Sequence, residues 1–324
     1  MSVINTKSRR FRGISKTKMQ KLLVGNGERE GLLMRIVTYV LLIAISFVFL
    51  YPIFKMLSRS LMGPYDSANP LVDWVPTALY TSNYVKAYQV LGGFKTILTS
   101  FGVMLLIAVV ETMSSAVIAY GFAKFEFRGR MILFVLMLST FLIPSQVTFL
   151  PNYVMFNKYE MLQSIFPILL PSIFGQGIRQ ALFILIFYQF YRMSPKSLDE
   201  AAAIDGAGPL KTFWQINFRM ATPALVVVLV FAFVWNWNET NLTSSYFGNE
   251  ITTLPVALEN FVTRFAKLFP SNNQGTNVSN LETQLSEGIQ MAGTLISILP
   301  LMLLYVFVER KLVESIDRSG ITGE

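Results

Sequence analysis

Six long runs of apolar residues, separated by shorter polar segments, dominate the pattern of this chain. Each run holds about 20 residues or more, the length that an α-helix needs to cross the hydrocarbon core of a membrane. We number them spans one to six: residues 36–54, 96–123, 131–150, 165–191, 220–238 and 288–308. The pattern predicts an all-α, polytopic membrane protein with six transmembrane helices.

Composition agrees with this pattern. The chain is 53% hydrophobic and only 14% charged, whereas soluble globular proteins carry about 25% charged residues. Span one is too long, and too far from the start of the chain, for a cleaved signal peptide. We therefore interpret it as a transmembrane helix that remains in the protein.

The basic residues predict the orientation of the spans. Nineteen of the 27 Lys and Arg residues lie in the N-terminal region 1–35, in the segments 121–130 and 192–219, or after residue 308. Seven lie in the alternate segments, and Arg179 lies inside span four. Since cytoplasmic segments of membrane proteins are enriched in Lys and Arg, both termini are predicted to be cytoplasmic.

The resulting organisation has five parts. They are a basic cytoplasmic tail (1–31), a first transmembrane helix (32–58), an extracytoplasmic segment (59–95), a core of five helices (96–308) and a cytoplasmic C-terminal tail (309–324). The residues 271–280, rich in Asn, Ser, Gly and Thr, predict a loop outside the membrane.

Missing residue types exclude several functions. The chain has no Cys and no His, which excludes disulfides, His-ligated metals and Ser-His-Asp catalysis. A phosphate-binding G-x-x-x-x-G-K-[ST] loop is also absent, so any ATP that drives this protein must bind to another chain. The net charge of +8 is spread over the cytoplasmic segments without a groove-like patch, which argues against nucleic-acid binding. We predict no catalytic residues and no metal site.

The segment between spans four and five, residues 194–217, predicts a short helix–turn–helix on the cytoplasmic surface. Ser194 is a suitable N-cap and Pro195 a suitable first helical residue. An alanine-rich run follows and ends at Asp205-Gly206, and Pro209 begins a second helix. Such a small, partly apolar unit is suited to dock into another protein.

At these residues the chain resembles a known family, the permease subunits of ABC importers. Glu200-Ala201-Ala202, Gly206 and Ile216 are similar to the EAA loop of that family. Ala119–Ala123 with Phe127–Arg130, Ile143–Gln146 with Pro151, Pro300, and Ser319–Gly323 are similar to other parts of the maltose-type sugar permeases. The match covers residues 32–324, and resembles the six-span maltose permease subunit. One departure is that Phe218 and Arg219 stand where the family usually has Leu-Pro.

The resemblance implies a type I ABC importer permease fold, a transport rather than an enzymatic role, and several partners. These are a second, homologous permease subunit in a heterodimer, two ATP-binding subunits that hold ATP and Mg, an extracytoplasmic solute-binding protein, and an oligosaccharide substrate. It also implies the residues that couple to the ATPase: Asp199, Glu200, Ala201, Ala202, Asp205, Gly206 and Ile216.

Polar residues inside the spans are candidates for the substrate pathway, since charged groups in a bilayer are costly and usually face a cavity or a partner. The candidates are Glu111, Gln146, Gln176, Arg179, Trp235, Asn236 and Asn238. Two alternatives stay open for them. Glu111 and Arg179 could instead form a structural ion pair or a polar contact with a second permease subunit, and the tryptophan could anchor the chain at the membrane interface.

Rival functions also remain. An ABC permease for another solute, such as an acidic sugar, is compatible with Arg179. A secondary transporter could use Glu111 to carry protons, although the chain has no internal repeat. An integral-membrane enzyme has no support, because no nucleophile, metal set or carboxylate pair is clustered in the sequence.

Overall fold

A computed structural model describes residues 25–26, 29–270 and 285–321 of the chain. Side-chain surroundings are described for residues 31–67, 69–270 and 285–310. The predicted loop at 271–280 lies outside the described residues, as does most of the predicted N-terminal tail.

The backbone is helical over most of its described length, which confirms the all-α prediction. An antiparallel pair, β1 (Gly25–Asn26) and β2 (Arg29–Glu30), precedes the helices. The helices are α1 (Leu32–Ser60), α2 (Pro64–Ala68), α3 (Ser82–Val90), α4 (Gly93–Lys124), α5 (Arg130–Thr140), α6 (Ser145–Lys158), α7 (Phe166–Ile173), α8 (Gln180–Met193), α9 (Lys196–Ile204), α10 (Pro209–Thr212), a π-helix (Phe213–Asn217), α11 (Phe218–Met220), α12 (Thr222–Asn238), α13 (Thr240–Phe247), α14 (Leu254–Glu259), α15 (Phe261–Leu268) and α16 (Glu287–Ile321).

Three helices among the described residues are long and apolar enough to cross a membrane alone: Leu32–Ser60, Gly93–Lys124 and Glu287–Arg310. Two bent pairs raise the number to five if each pair is one span. Arg130–Thr140 and Ser145–Lys158 meet at 95°, and Pro209–Met220 and Thr222–Asn238 meet at 78°. The remaining predicted span, 165–191, is divided between α7 and α8.

The prediction of an uninterrupted span three is therefore wrong. Helix α5 ends at Thr140, and Pro144 is the N-cap of α6. A proline disfavours helical geometry at the residue before it, so Ile143 cannot continue the helix and the chain turns. Span four is broken for a related reason, which is described with the site below.

The long helix α4 lies at the centre of the fold and packs mainly against α8 and α12. Its buried face carries small residues such as Ala108, Ala116 and Ala119. The same hydrophobic core contains large buried side chains of α8, among them Phe183 and Phe187. Small residues let neighbouring helices approach closely in a membrane, so α4 is held firmly by two helices at once.

Helix α1 differs because its apolar middle buries nothing within this chain. Its C-terminal end is fastened to the segment that follows. Arg59 forms an ion pair of 2.8 Å with Asp73, and Lys55, which also bonds Asp73, lies over the ring of Trp74 at 4.8 Å. The hydrogen bond from Lys55 and the two positive charges lower the pKa of Asp73 below its ordinary value.

Candidate functional site

The break between α7 and α8 is the most irregular part of the helical core. Helix α7 contains Pro171 and ends at Ile173, and Gly175, two residues later, has φ +80°. Arg179 then adopts φ +55° before α8 begins. A positive φ is uncommon for a residue other than glycine, so the surrounding contacts must hold Arg179 in this conformation.

Glu111, at the middle of α4, bonds the chain directly before Arg179. Its side chain is fully buried. Oε1 accepts hydrogen bonds of 3.2 Å from the Ser172 hydroxyl and from the backbone N–H of Ile178, and Oε2 accepts one of 2.8 Å from the Asn236 side-chain amide. One carboxyl group thus joins α4 to α7, to the break and to α12.

Gln180 provides a second set of bonds at the same place. Its Nε2 donates to Ser114 Oγ at 2.6 Å and to the carbonyl oxygen of Ser172 at 2.8 Å. Its Oε1 accepts from the backbone N–H of Gly177 at 2.6 Å. Because the broken helix leaves backbone groups without their usual partners, these bonds satisfy groups that would otherwise be costly to bury.

Gly177 is confined by the same side chains. A Cβ atom at this position would collide with Glu111 Oε1 and would lie 2.7 Å from Ser172 Oγ and 2.8 Å from Gln180 Oε1. The break therefore has room only for glycine at this position, and we name Glu111, Ser172, Gly177, Gln180 and Asn236 the break cluster.

Arg179 is not the ion-pair partner of Glu111. The ion pairs of the described residues do not include these two, and the structural alternative of a Glu111–Arg179 bridge is wrong. The Arg179 guanidinium instead lies 4.9 Å from the ring of Trp235, which itself stacks on Phe183 at 5.2 Å. This is a cation–π contact, and Trp235 itself is half-buried among the helices.

A cavity of about 850 Å³ opens on the other side of the break. Gln146, Gln176 and Arg179, three of the residues singled out in the sequence, line it together with Glu239. The cavity lies between the bend of α5 and α6 and the break of α7 and α8, so both irregular backbone segments face it. Irregular backbone at membrane depth is tolerated where it lines such a space.

The other predicted pathway residues are placed differently. Glu111 and Asn236 are buried behind the break and do not line the cavity. Asn238 is exposed, and its side chain donates to the carbonyl of Val234 at 2.8 Å. Sequence reasoning missed Ser172 and Gln180, although a glutamine beside Arg179 in an apolar stretch was a usable signal.

The segment 194–217 folds as two short helices around a turn. The first helix begins at Lys196, with Pro195 as its N-cap and no side-chain capping bond, so the expected cap at Ser194 is wrong. Pro195 has φ −58° and ψ +130°, an extended conformation that proline favours. Gly206 has φ +74°, the left-handed conformation that commonly ends a helix at glycine.

The residues of this segment divide into two sets. Glu200, Ala201, Asp205 and Gly206 are exposed, and so are the apolar side chains Ile204, Leu210 and Trp214. Ala202 is buried, and Asp199 and Ile216 are half-buried. We name residues 194–217 the docking segment. Two of its apolar side chains make few contacts within the chain: Ile204 is 87% and Leu210 77% exposed.

Comparison with known proteins identifies the class. Residues 112–317 match the family described as the binding-protein-dependent transport system inner membrane component. This match spans more than half of the chain, and the chain belongs to that family. It is therefore a permease subunit of an ABC importer and a multi-pass protein of the cytoplasmic membrane, as the resemblance in its sequence indicated.

Individual relatives resemble it along most of its length. The arabinooligosaccharides transport system permease protein AraQ of Halalkalibacterium halodurans is 23% identical over 295 residues, which are 89% of this chain and 98% of AraQ. The diacetylchitobiose uptake system permease protein NgcG of Streptomyces coelicolor is 25% identical over 82% of this chain and 79% of its own. A subunit of a bacterial ABC transporter involved in the import of the acidic polysaccharide alginate has the same fold, with a TM-score of 0.65, 21% identity, and coverage of 86% of this chain and 96% of that chain.

Proposed function

We propose that this chain forms half of the membrane pathway of an ATP-driven carbohydrate importer. The names of its relatives support a carbohydrate as the substrate, since AraQ and NgcG serve oligosaccharide uptake systems. The cavity beside the break supports a role in the pathway: its lining combines the polar Gln146 and Gln176 with aromatic and apolar side chains, a mixture suited to a sugar.

The docking segment carries the coupling part of the proposal. Its exposed apolar side chains and the carboxylate of Glu200 lie on one small, folded surface. Since the sequence has no phosphate-binding loop, we infer that this surface sits in a cleft of a separate ATPase subunit. Closure of two such subunits around ATP and Mg would then move the spans, with substrate delivered by an extracytoplasmic binding protein.

The remaining parts of the assembly follow from the same proposal. The chain crosses the membrane six times, with α7 and α8 together forming span four, and both termini lie in the cytoplasm. A second permease subunit covers the apolar middle of α1, which is not buried within this chain. A secondary transporter that moves protons through Glu111 is disfavoured because the carboxyl group lies outside the cavity and already accepts three hydrogen bonds.

Reversing the charge at Glu200 tests the docking role. In Glu200→Lys, an unmatched positive charge is introduced into the contact, so the variant should lose co-purification with the ATPase subunit and lose substrate uptake. Glu250→Lys is the matched control, because Glu250 is also exposed and lies on the proposed outer face. Normal uptake and normal co-purification by Glu200→Lys would refute the docking proposal.

A further inference from the structure

Asp199, in the docking segment, is already engaged within the chain. Its Oδ2 atom lies 2.6 Å from the Nζ of Lys124, the last residue of α4. Its Oδ1 atom accepts a hydrogen bond of 2.8 Å from the Asn217 side-chain amide. Lys124 and Asp199 are 13% and 26% exposed, and Asn217 is buried. Both carboxylate oxygens thus point into the chain, away from the exposed face of Glu200.

A second contact at the same end of α4 supports the first. The ring of Tyr120 lies 5.0 Å from that of Phe213, and its hydroxyl donates to the backbone carbonyl of Pro209 at 3.5 Å. Tyr120 also meets Tyr191 of α8, edge to face, at 5.8 Å. The end of α4 is therefore fastened to both halves of the docking segment, by charge at Asp199 and by packing at Phe213.

Asn217 extends this connection toward α12. It is the last residue of the π-helix, directly before α11 and then α12. A π-helical turn inside a helical segment is uncommon and often occurs at functional positions. Through Asp199, the first docking helix is thus bonded to α4 and, through Asn217, to the chain that leads into α12.

Helix α4 links this connection to the break. It is continuous from Gly93 to Lys124, and it carries Glu111 about 20 Å from Lys124, at a rise of 1.5 Å per residue. Glu111 bonds the break and α12, as described above. A single continuous helix therefore has the docking segment at one end and the break cluster at its middle.

We propose that Asp199 is a positioning residue which, bonded to Lys124 and Asn217, transmits movement of the docking segment to α4 and α12. This inference rests on the proposed docking function, but it assigns Asp199 a role distinct from that of Glu200. Glu200 contacts the ATPase, whereas Asp199 contacts the transport helices. Loss of Asp199 should leave the ATPase bound while uncoupling it from transport.

The test uses the complete complex reconstituted in vesicles, with Asp199→Ala and Lys124→Ala measured separately. Both variants should co-purify with the ATPase as the unaltered chain does. Uptake should fall by about tenfold, the size of a typical coupling between two sites, while ATP hydrolysis persists, so that more ATP is consumed per substrate transported. A purely structural role would lower uptake and hydrolysis together and leave that ratio unchanged.

The exchanged pair, Lys124→Asp with Asp199→Lys, provides the rescue. It should recover part of the lost coupling, but not all of it, because a lysine in the first turn of α9 opposes the helix dipole. If either single variant folds poorly, Asn217→Ala tests the other bond of Asp199 by the same ratio of ATP to substrate.

Loss of ATPase co-purification in Asp199→Ala, equal to that in Glu200→Lys, would make Asp199 a docking contact and overturn the proposal. An unchanged ratio of ATP to substrate would overturn it as well. The docking proposal itself fails on a different result, normal co-purification by Glu200→Lys.

Discussion

The side-chain amide of Asn236 donates a hydrogen bond of 2.8 Å to Oε2 of Glu111. Both residues are buried, and the same amide donates to the carbonyl of Ala232 at 2.9 Å within α12. The bond therefore joins α4 and α12 in the interior, at the level where α7 and α8 are interrupted.

Removing the Glu111 carboxyl group should destabilise this junction. In Glu111→Ala, the Ile178 N–H loses its acceptor and the Asn236 amide loses one of its two acceptors. We therefore expect the free energy of unfolding to fall by about 2–4 kcal/mol and the melting temperature of the purified complex to fall with it. Glu111→Gln keeps one acceptor oxygen and most of the side-chain volume, so its melting temperature should lie between those of the alanine variant and the unaltered chain. Equal melting temperatures for the alanine variant and the unaltered chain would contradict the described role of the carboxyl group.

Gly177 should not tolerate a side chain. The Cβ of Gly177→Ala must displace Glu111 or Gln180, and overpacking of this kind costs about 1–3 kcal/mol. We expect reduced uptake and an altered substrate KM, since the break also places Gln176 and Arg179. Gly102→Ala is the control, because a Cβ at Gly102 meets no atom within 4 Å. Equal uptake by the two alanine variants would contradict the confinement of Gly177.

Two glycines of the docking segment should respond differently to the same change. Gly206 has φ +74°, whereas Gly208 has φ −72°, a value that any residue can adopt. Gly206→Ala should therefore cost about 1 kcal/mol of local stability and reduce ATPase co-purification. Proline cannot adopt a positive φ, so Gly206→Pro should abolish co-purification. Gly208→Ala should be close to neutral, and both alanine variants should insert into the membrane normally, as immunoblots of membrane fractions can show.

The proposed orientation is testable because the chain has no cysteine. Glu250→Cys and Ser197→Cys place single thiols at two exposed positions. In intact cells a membrane-impermeant maleimide should label the first, and it should label the second only after the membrane is opened. Labelling of both thiols in intact cells would refute the six-span topology.

The sequence by itself was sufficient to predict the helical class and the position of the docking segment. Runs of about 20 apolar residues have few alternatives to a membrane helix, because backbone groups in lipid must bond within their own segment. The sequence also predicted the turn at Gly206, because Asp205-Gly206 follows an alanine-rich helical run. These features depend on residues that are close together along the chain.

Only the tertiary structure decided how the polar residues pair. Glu111, Ser172 and Asn236 are far apart in the sequence, and any of several donors, Arg179 included, had the right chemistry to meet the carboxyl group. The choice was made by the break between α7 and α8, which brings the Ser172 hydroxyl and the Ile178 N–H to the Glu111 carboxyl group. Asp199 likewise belongs to a motif whose spacing suggests a single docking surface, yet it forms an ion pair with Lys124 inside the chain. The two sides of a short helix meet different neighbours, and the sequence does not specify which neighbour lies on which side.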